Sequence, residues 1–234
     1  MGNFRALIGK KKAEPQSPFQ VLYQKYRDYT MIPEKVFCSN LELAQRIVSS
    51  DVSGAVVECG VWKGGMSAAL AELLGSRRTY HLLDSFEGLP PVTEADGPWA
   101  KQWQERKDLW YFDNCKAEQM YAREAMRLSG VEHFQIHQGW FKDSLPVLPD
   151  FPIALLRLDG DWYDSTYTCL EHLYPRVISG GLVILDDYYA WEGCIRACYD
   201  YFSAHKVTDR IRCTSEGVAY LIKNEPFPFQ EAIG

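Results

Sequence analysis

The residues best equipped for chemistry in this chain are aspartates, and they come in two groups. An apolar run, Ile153-Ala-Leu-Leu-Arg-Leu158, breaks into Asp159-Gly160-Asp161-Trp162, and a second, Leu182-Val-Ile-Leu185, breaks into Asp186-Asp187-Tyr188. If both runs are neighbouring strands, their ends lie about 4.8 Å apart, and Asp159, Asp186 and Asp187 converge on one point. Carboxylates that close repel unless a cation sits among them, and an all-oxygen donor set suits a hard divalent ion, magnesium before zinc. The plainer alternative is that each aspartate caps a helix or turn, a common use of the residue.

The chain between the two groups is built to place them side by side. Residues 165–178 have helical length, with Leu170, Leu173 and Val177 at helix spacing and Gly180-Gly181 as the stop. A strand, a crossover helix and a parallel strand put both acid groups at carboxyl ends. The pattern extends upstream and downstream. Strands are predicted at Ala55 to Gly60, at 79–84, at 134–137, at 153–159 and at 182–186. Helices are predicted at 16–29, at 39–49 with Ser39 or Asn40 as cap, at 67–74, at 117–129 and at 193–204. A closing pair at 211–213 and 218–222 completes an α/β, doubly wound, Rossmann-like sheet with an antiparallel strand at its end. Residues 1–14, with Lys10, Lys11 and Lys12, are expected to be a mobile basic tail, and 15–234 a single domain. Residues 85–114 lack periodicity and read as a lid, since connections this long usually bind something. The lid aromatics Trp99, Trp103, Trp110, Tyr111 and Phe112 could sandwich an acceptor, or pack on the sheet edge or at a homodimer contact. The turn 30–33 could reach a ligand, although simple packing accounts for it as well.

The turn after the first strand is where such sheets bind nucleotides. Here Gly60, Gly64 and Gly65 do not follow G-x-G-x-x-G, and Lys63 is not placed as a phosphate-loop lysine. Glu58, just before the first glycine, would repel a pyrophosphate and attract an ammonium or sulfonium. Asp84, at the end of the second strand, is placed to accept from two ribose hydroxyls. Together they favour S-adenosylmethionine over a dinucleotide. Gly60, Gly64 and Ser67 along the turn, Ser85 beside Asp84, and Gln138 and Gly139 next to Trp140 at the third strand's end complete the candidate cofactor set.

Composition narrows the function. The 234 residues are 47% apolar and 14% aromatic, enough for one sizeable core, and the formal charge of −6 argues against a nucleic-acid groove. No apolar run reaches the roughly 18 residues of a membrane span, and the start lacks a signal-peptide core. Gly2 is followed at position 6 by Ala, not the Ser or Thr of a myristoylation site. Seven scattered cysteines with no Cys-x-x-Cys pair fit reduced thiols in a cytoplasmic protein without a membrane partner. Cys194 and Cys198 share a helix face without a histidine partner, so zinc is not indicated. His172, beside Leu173 on the crossover helix, reads as structural.

Five segments in this order, Glu58-Cys-Gly-Val-Trp-Lys-Gly-Gly65, Leu83-Asp-Ser-Phe-Glu-Gly-Leu-Pro90, Gly139-Trp-Phe-Lys-Asp-Ser-Leu-Pro146, Leu158-Asp-Gly-Asp161 and Leu185-Asp-Asp-Tyr188, resemble the macrocin-type and novobiocin-type O-methyltransferases over roughly residues 20–222. The resemblance implies a class I methyltransferase fold and an S-adenosylmethionine-dependent, magnesium-dependent enzyme acting on a hydroxyl of a small molecule, a sugar or phenol of a secondary metabolite or glycoconjugate. It also implies that Asp159, Asp186 and Asp187 hold the metal and that Asp161 is the general base. Some sugar-methylating members use a histidine where this chain has Trp162, a departure that tells against a histidine-based mechanism. A free phenol has a pKa of about 10, so a carboxylate base needs help, and a magnesium contact with the acceptor oxygen would give it. Two other readings share parts of this pattern. A metal-dependent hydrolase would not need Glu58 and Asp84 around a glycine turn, and a non-catalytic S-adenosylmethionine-binding protein would not need the aspartates. A catechol-type methyltransferase would show a shorter lid and a lysine near Asp186.

Overall fold

Largely apolar runs suit strands covered on both faces, as in the central strands, and five strands pair in parallel: β1 (Ala55–Cys59), β2 (Tyr80–Asp84), β3 (Phe134–Gln138), β4 (Ile153–Leu158) and β5 (Val177–Leu185). The edge strand β3 alternates and is partly exposed. The computed structural model describes residues 15–106 and 113–226; the predicted tail at 1–14 and Trp110, Tyr111 and Phe112 of the predicted lid lie outside them. Two short strands close the sheet, β6 (Arg212–Cys213) and β7 (Ala219–Ile222), with β7 antiparallel to both β5 and β6. The order is β3-β2-β1-β4-β5-β7-β6. The connection reverses direction between β1 and β4, and an open sheet of this kind forms its crevice there, beyond the carboxyl ends of the strands.

Successive residues of each strand feed opposite cores. Val56, Leu82, Leu155 and Ile184 face one way, under α1 (Pro18–Tyr26), α2 (Glu34–Ser49), α3 (Gly65–Leu74) and α5 (Gln119–Leu128). Val57, Leu83, Leu156 and Leu185 face the other, under α7 (Tyr163–Leu173) and α8 (Glu192–Ala204). Between β2 and α5 lies α4 (Gly97–Glu105), and the single-turn α6 (Phe141–Ser144) follows β3. Ser17 and Gln20 close a reciprocal capping box at the start of α1, with Pro18 in the first turn. Among the described residues no helix is long and apolar enough to cross a membrane.

Three sequence expectations are corrected. The second helix begins at Glu34, with Pro33 at its cap; burial of Phe37 draws the chain into the helix a full turn before the expected cap residues. Ser39 and Asn40 are therefore buried inside it, where Asn40 donates to the Val36 carbonyl at 2.9 Å. The crossover helix stops at Leu173, because Pro175 cannot supply the next N–H, and a 3-10 turn (Tyr174–Arg176) leads straight into β5. Gly180-Gly181 is consequently not a helix stop but a bulge within β5: Val177 pairs with Ile153 and Leu182 with Leu155. A Cβ on Gly181 would come within 2.7 Å of Val177 Cγ1. Finally, the lid is not aperiodic throughout, since it folds as a 3-10 turn (Glu94–Asp96) and α4.

One buried titratable group makes the fold itself sensitive to acid. His81 on β2 is 5% exposed, lies 4.0 Å (centroids) from the Phe151 ring, and places Nδ1 3.0 Å from His137 Nε2. Burial first, and His137 second, lower its pKa to about 4. The unfolded chain takes up a proton near the ordinary value of about 6.5, so this group's contribution is present above that pH and is lost as pH falls toward about 4. Urea titration of His81→Phe against the wild type should show the variant losing less stability between about pH 7 and about pH 4.5; identical slopes would refute the assignment.

Candidate active site

The carboxyl ends of β1, β4 and β5 are joined by one buried cation. Arg157, the penultimate residue of β4, is fully buried. Its Nη1 donates to Glu58 Oε1 at 2.7 Å and to Asp159 Oδ2 at 2.8 Å, its Nη2 pairs with Asp186 Oδ1 at 2.6 Å, and its Nε donates to Asn40 Oδ1 at 3.1 Å. A guanidinium withdrawn from water is tolerable only when paired, and here Asp186, Asp159 and Glu58 hold its pKa well above the ordinary arginine value against desolvation. Arg157 thus supplies positive charge to one oxygen each of Asp159 and Asp186. The sequence carried a signal for it: an arginine inside an otherwise apolar, doubly covered strand has to find acids.

The structure brings together a somewhat different trio from the expected one. Asp159, Asp161 and Asp187 each present an oxygen within 4.8 Å of the others, while Asp186 commits Oδ1 to Arg157 and keeps Oδ2. Asp187 Oδ2 accepts from the Asp161 amide at 2.9 Å, which pins Asp161 in a left-handed conformation at φ 55. Burial is the first cause of raised pKa values in all three. Asp159 lies well above the carboxylate range, Arg157 opposing the rise and the neighbouring aspartates adding to it. Asp187 is raised likewise by Asp161, Asp159 and Asp186. Asp161 is pushed up to about 7, with a hydrogen bond to the Trp191 side chain pulling down and Asp186 pushing up. Ligands on opposite sides of an octahedral magnesium ion are about 4.2 Å apart, so small side-chain adjustments would bring this all-oxygen cluster to such an ion. Arg157 pairs with three of the five carboxyls, those of Glu58, Asp159 and Asp186; Asp161 and Asp187 lie beyond it, where burial favours their protonated forms, so a divalent cation bound there would displace protons.

A cavity of about 510 Å³ opens beside the cluster and contains Glu58, Gly60, Asp84, Ser85, Gly139, Asp159 and Asp161 of the predicted residues. That volume is within the range of pre-formed small-molecule sites. Gly60 is where the glycine turn meets the acid loop: at φ +83, a Cβ would stand 1.7 Å from the Asp159 carbonyl oxygen. Asp84 accepts from the amides of Val61 (2.8 Å), Trp62 (2.9 Å) and Phe86 (2.7 Å); burial raises its pKa and these amides lower it. It organises the turn and has about one lone-pair site left for a hydroxyl. Glu58 has both oxygens engaged, one by Arg157 and the other by the Ser67 hydroxyl. Glu58 lines the cavity and shares its charge with Arg157, which weakens its hold on a positive donor group. Ser67 sits beneath Glu58, Gly64 backs onto Ala122 of α5, and Gln138 is exposed at the end of β3, accepting from Gln119 at 3.5 Å; none of these three lines the cavity.

The lid is docked rather than free. Asp96, 1% exposed, accepts from the Tyr163 amide at the start of α7 and from the Thr93 amide, both at 2.6 Å. Trp103 meets Trp162 and Trp191 edge to face at 6.1 and 6.0 Å, so it packs on α7 and α8 and does not face an acceptor, while Trp99 is exposed. Trp162 is 1% exposed and donates its indole N–H to the Pro90 carbonyl at 2.9 Å. The turn between α1 and α2 does reach the cavity, through Tyr29, Thr30, Met31 and Ile32. Cys115 faces the same space, and burial with the nearby aspartates pushes its thiol up to about 12, which leaves it an inert wall residue.

The profile of a family described as Macrocin-O-methyltransferase (TylF) matches residues 19–221. Demethyldecarbamoylnovobiocin O-methyltransferase of Streptomyces niveus is 34% identical over 191 residues, covering 78% of this chain and 71% of its own. Mycinamicin III 3''-O-methyltransferase of Micromonospora griseorubida is 33% identical over 196 residues, covering 78% and 74%. Among solved structures, the O-methyltransferase NovP superposes with a TM-score of 0.70 at 30% identity over 88% of each chain. The calicheamicin methyltransferase CalS11 shares the fold, with a TM-score of 0.63 at 20% identity, covering 91% of this chain and 95% of its own.

The raised aspartates make the acid cluster a liability at high pH. Their stabilising share is fully present below the ordinary carboxylate range and is lost as pH rises through the raised values, about 7 for Asp161. In a chelator the melting temperature should therefore fall between about pH 5 and about pH 8, and magnesium should raise it more at the higher pH. Differential scanning fluorimetry checks this, and a magnesium shift that does not grow with pH would contradict it.

Proposed function

The chain belongs to the macrocin O-methyltransferase family and is an O-methyltransferase dependent on S-adenosylmethionine; from that premise we propose that it methylates a hydroxyl of a small sugar or phenol of secondary metabolism, with magnesium at the aspartate cluster. One observation carries the reading: the glycine turn with Asp84 and the aspartates Asp159 and Asp161 border the same cavity. When bound, magnesium would acidify a hydroxyl and S-adenosylmethionine would present a sulfonium methyl for in-line displacement.

The chain's own groups have distinct tasks in this proposal. Asp159 and Asp187 would hold the cation, joined by the free Oδ2 of Asp186 or by Asp161. The Asp161 carboxylate would take the hydroxyl proton, and its raised pKa makes it a stronger base than an ordinary aspartate. Asp84 would accept from a donor ribose hydroxyl while it keeps the glycine turn in place. Trp140, Trp162 and the Pro90-Pro91 segment form an apolar wall that would keep water away and orient the acceptor. Orientation in a near-attack geometry can lower a barrier by roughly 7–11 kcal/mol, which suits a reaction asking little else of its enzyme.

Purified protein incubated with S-adenosylmethionine and panels of phenols and glycosides should release S-adenosylhomocysteine with one of them. Chelation should abolish turnover and magnesium restore it. Asp161→Asn should lower kcat by about 100-fold to 10,000-fold, the range for a lost general base, with donor affinity little changed. A protein that binds the donor and releases no product with any panel, with or without magnesium, would instead be a binding protein.

A further inference from the structure

Arg157, on β4, meets partners at the carboxyl ends of three neighbouring strands and in one helix. Glu58 lies on β1, Asp159 follows β4, Asp186 follows β5 and Asn40 comes from the middle of α2, and the planar guanidinium meets all of them at 2.6–3.1 Å. Asn40, fully buried, has its own direction set by donation to the Val36 carbonyl. A rigid fork held from one side by Asn40 and, on the other, hydrogen-bonded to Glu58 and Asp159 and ion-paired with Asp186 fixes the lateral spacing of those acids. We infer that Arg157 is a positioning residue for the divalent-cation site, oriented by Asn40; this rests on the magnesium reading above and adds to it residues that contact neither cation nor substrate.

A positioning role and simple electrostatics differ in sign for the loss of Arg157. A fixed positive charge beside a cation site repels the cation, so by Coulomb's law alone its loss tightens binding. As a positioning residue, Arg157 holds together acids that would otherwise spread apart, and its loss weakens binding. Lysine keeps the charge but is a point donor without the fork, so Arg157→Lys separates geometry from charge. Asn40→Ala leaves all three ion pairs in place and removes only the group that orients the guanidinium, which keeps the test open if the lysine variant folds poorly.

Manganese binding, followed by loss of the free-ion electron paramagnetic resonance signal, reads the effect without turnover. Arg157→Lys should bind Mn2+ at least about tenfold more weakly than wild type and Asn40→Ala about threefold or more, in keeping with the sensitivity of metal sites to the groups behind their ligands. S-adenosylhomocysteine affinity by calorimetry should stay within about twofold in Asn40→Ala, a control that general unfolding would not pass. Binding of Mn2+ by Asn40→Ala or Arg157→Lys as tight as wild type, or tighter, overturns the positioning role while leaving the magnesium reading intact. Wild-type protein that takes up no Mn2+ fails the magnesium reading itself, and the positioning role falls with it.

Discussion

The buried ion pairs of Arg157 are the constraint from which the rest of the site follows. Its side chain is fully buried against Glu58, Asp159 and Asp186, and removing one partner of such a network typically costs about 3–5 kcal/mol because a charge is left uncompensated. Only a sheet with β1, β4 and β5 adjacent and in register can supply those partners. The Asp159 amide bonds the Cys59 carbonyl at 2.8 Å and the Asp186 amide bonds the Leu158 carbonyl at 2.9 Å, so the parallel ladder runs up to the acids. Strand order, register and the charge network are thereby one structural fact seen at three scales.

A guanidinium alone does not settle the electrostatics of so many carboxyls. Asp159 pairs with Arg157, yet Asp161 and Asp187 gather on its other side with their pKa values raised by burial. The arrangement is two-sided: on one side a neutralised acid floor under the glycine turn, on the other an acid cluster still short of positive charge. The cavity spans both. A donor carrying one positive charge and a divalent ion would complete the balance that the protein leaves open, in keeping with the proposed chemistry. The lid contributes walls more than motion, since Asp96 ties it to the first amide of α7 and Trp103 to Trp162 and Trp191.

Much of this was legible in the residues because it depends on short-range pattern. Apolar runs ending in Asp84, Asp159 and Asp186-Asp187 gave the strands and their carboxyl ends, and helical spacing between them implied parallel pairing. What escaped depends on long-range contact. Arg157 stands inside an apolar run, and although Asp159 is two residues away, Glu58 and Asp186 come from other strands, to which no local spacing points. Asn40 was read as a helix cap, a role its type favours, whereas burial of Phe37 pulled the helix start upstream and turned Asn40 into a core hydrogen-bond partner. Nothing in the local sequence singles out Asp96, whose role as an anchor depends on α7 lying beside it. Ser67 follows the glycine turn and Gln138 ends the third strand, positions that suit a cofactor contact, but one side chain points into the floor and the other is exposed.

The central claim is that one guanidinium holds the acid ends of three strands in place beside a divalent-cation site. Crystals grown with Mn2+ and S-adenosylhomocysteine, measured at the manganese absorption edge, test it most directly. The expected result is an anomalous peak contacted by Asp159 and Asp187, with the Arg157 fork still bonded to Glu58 and to Asn40. A peak remote from these aspartates, none at saturating Mn2+, or a guanidinium swung away from Glu58 when the ion is bound would contradict it.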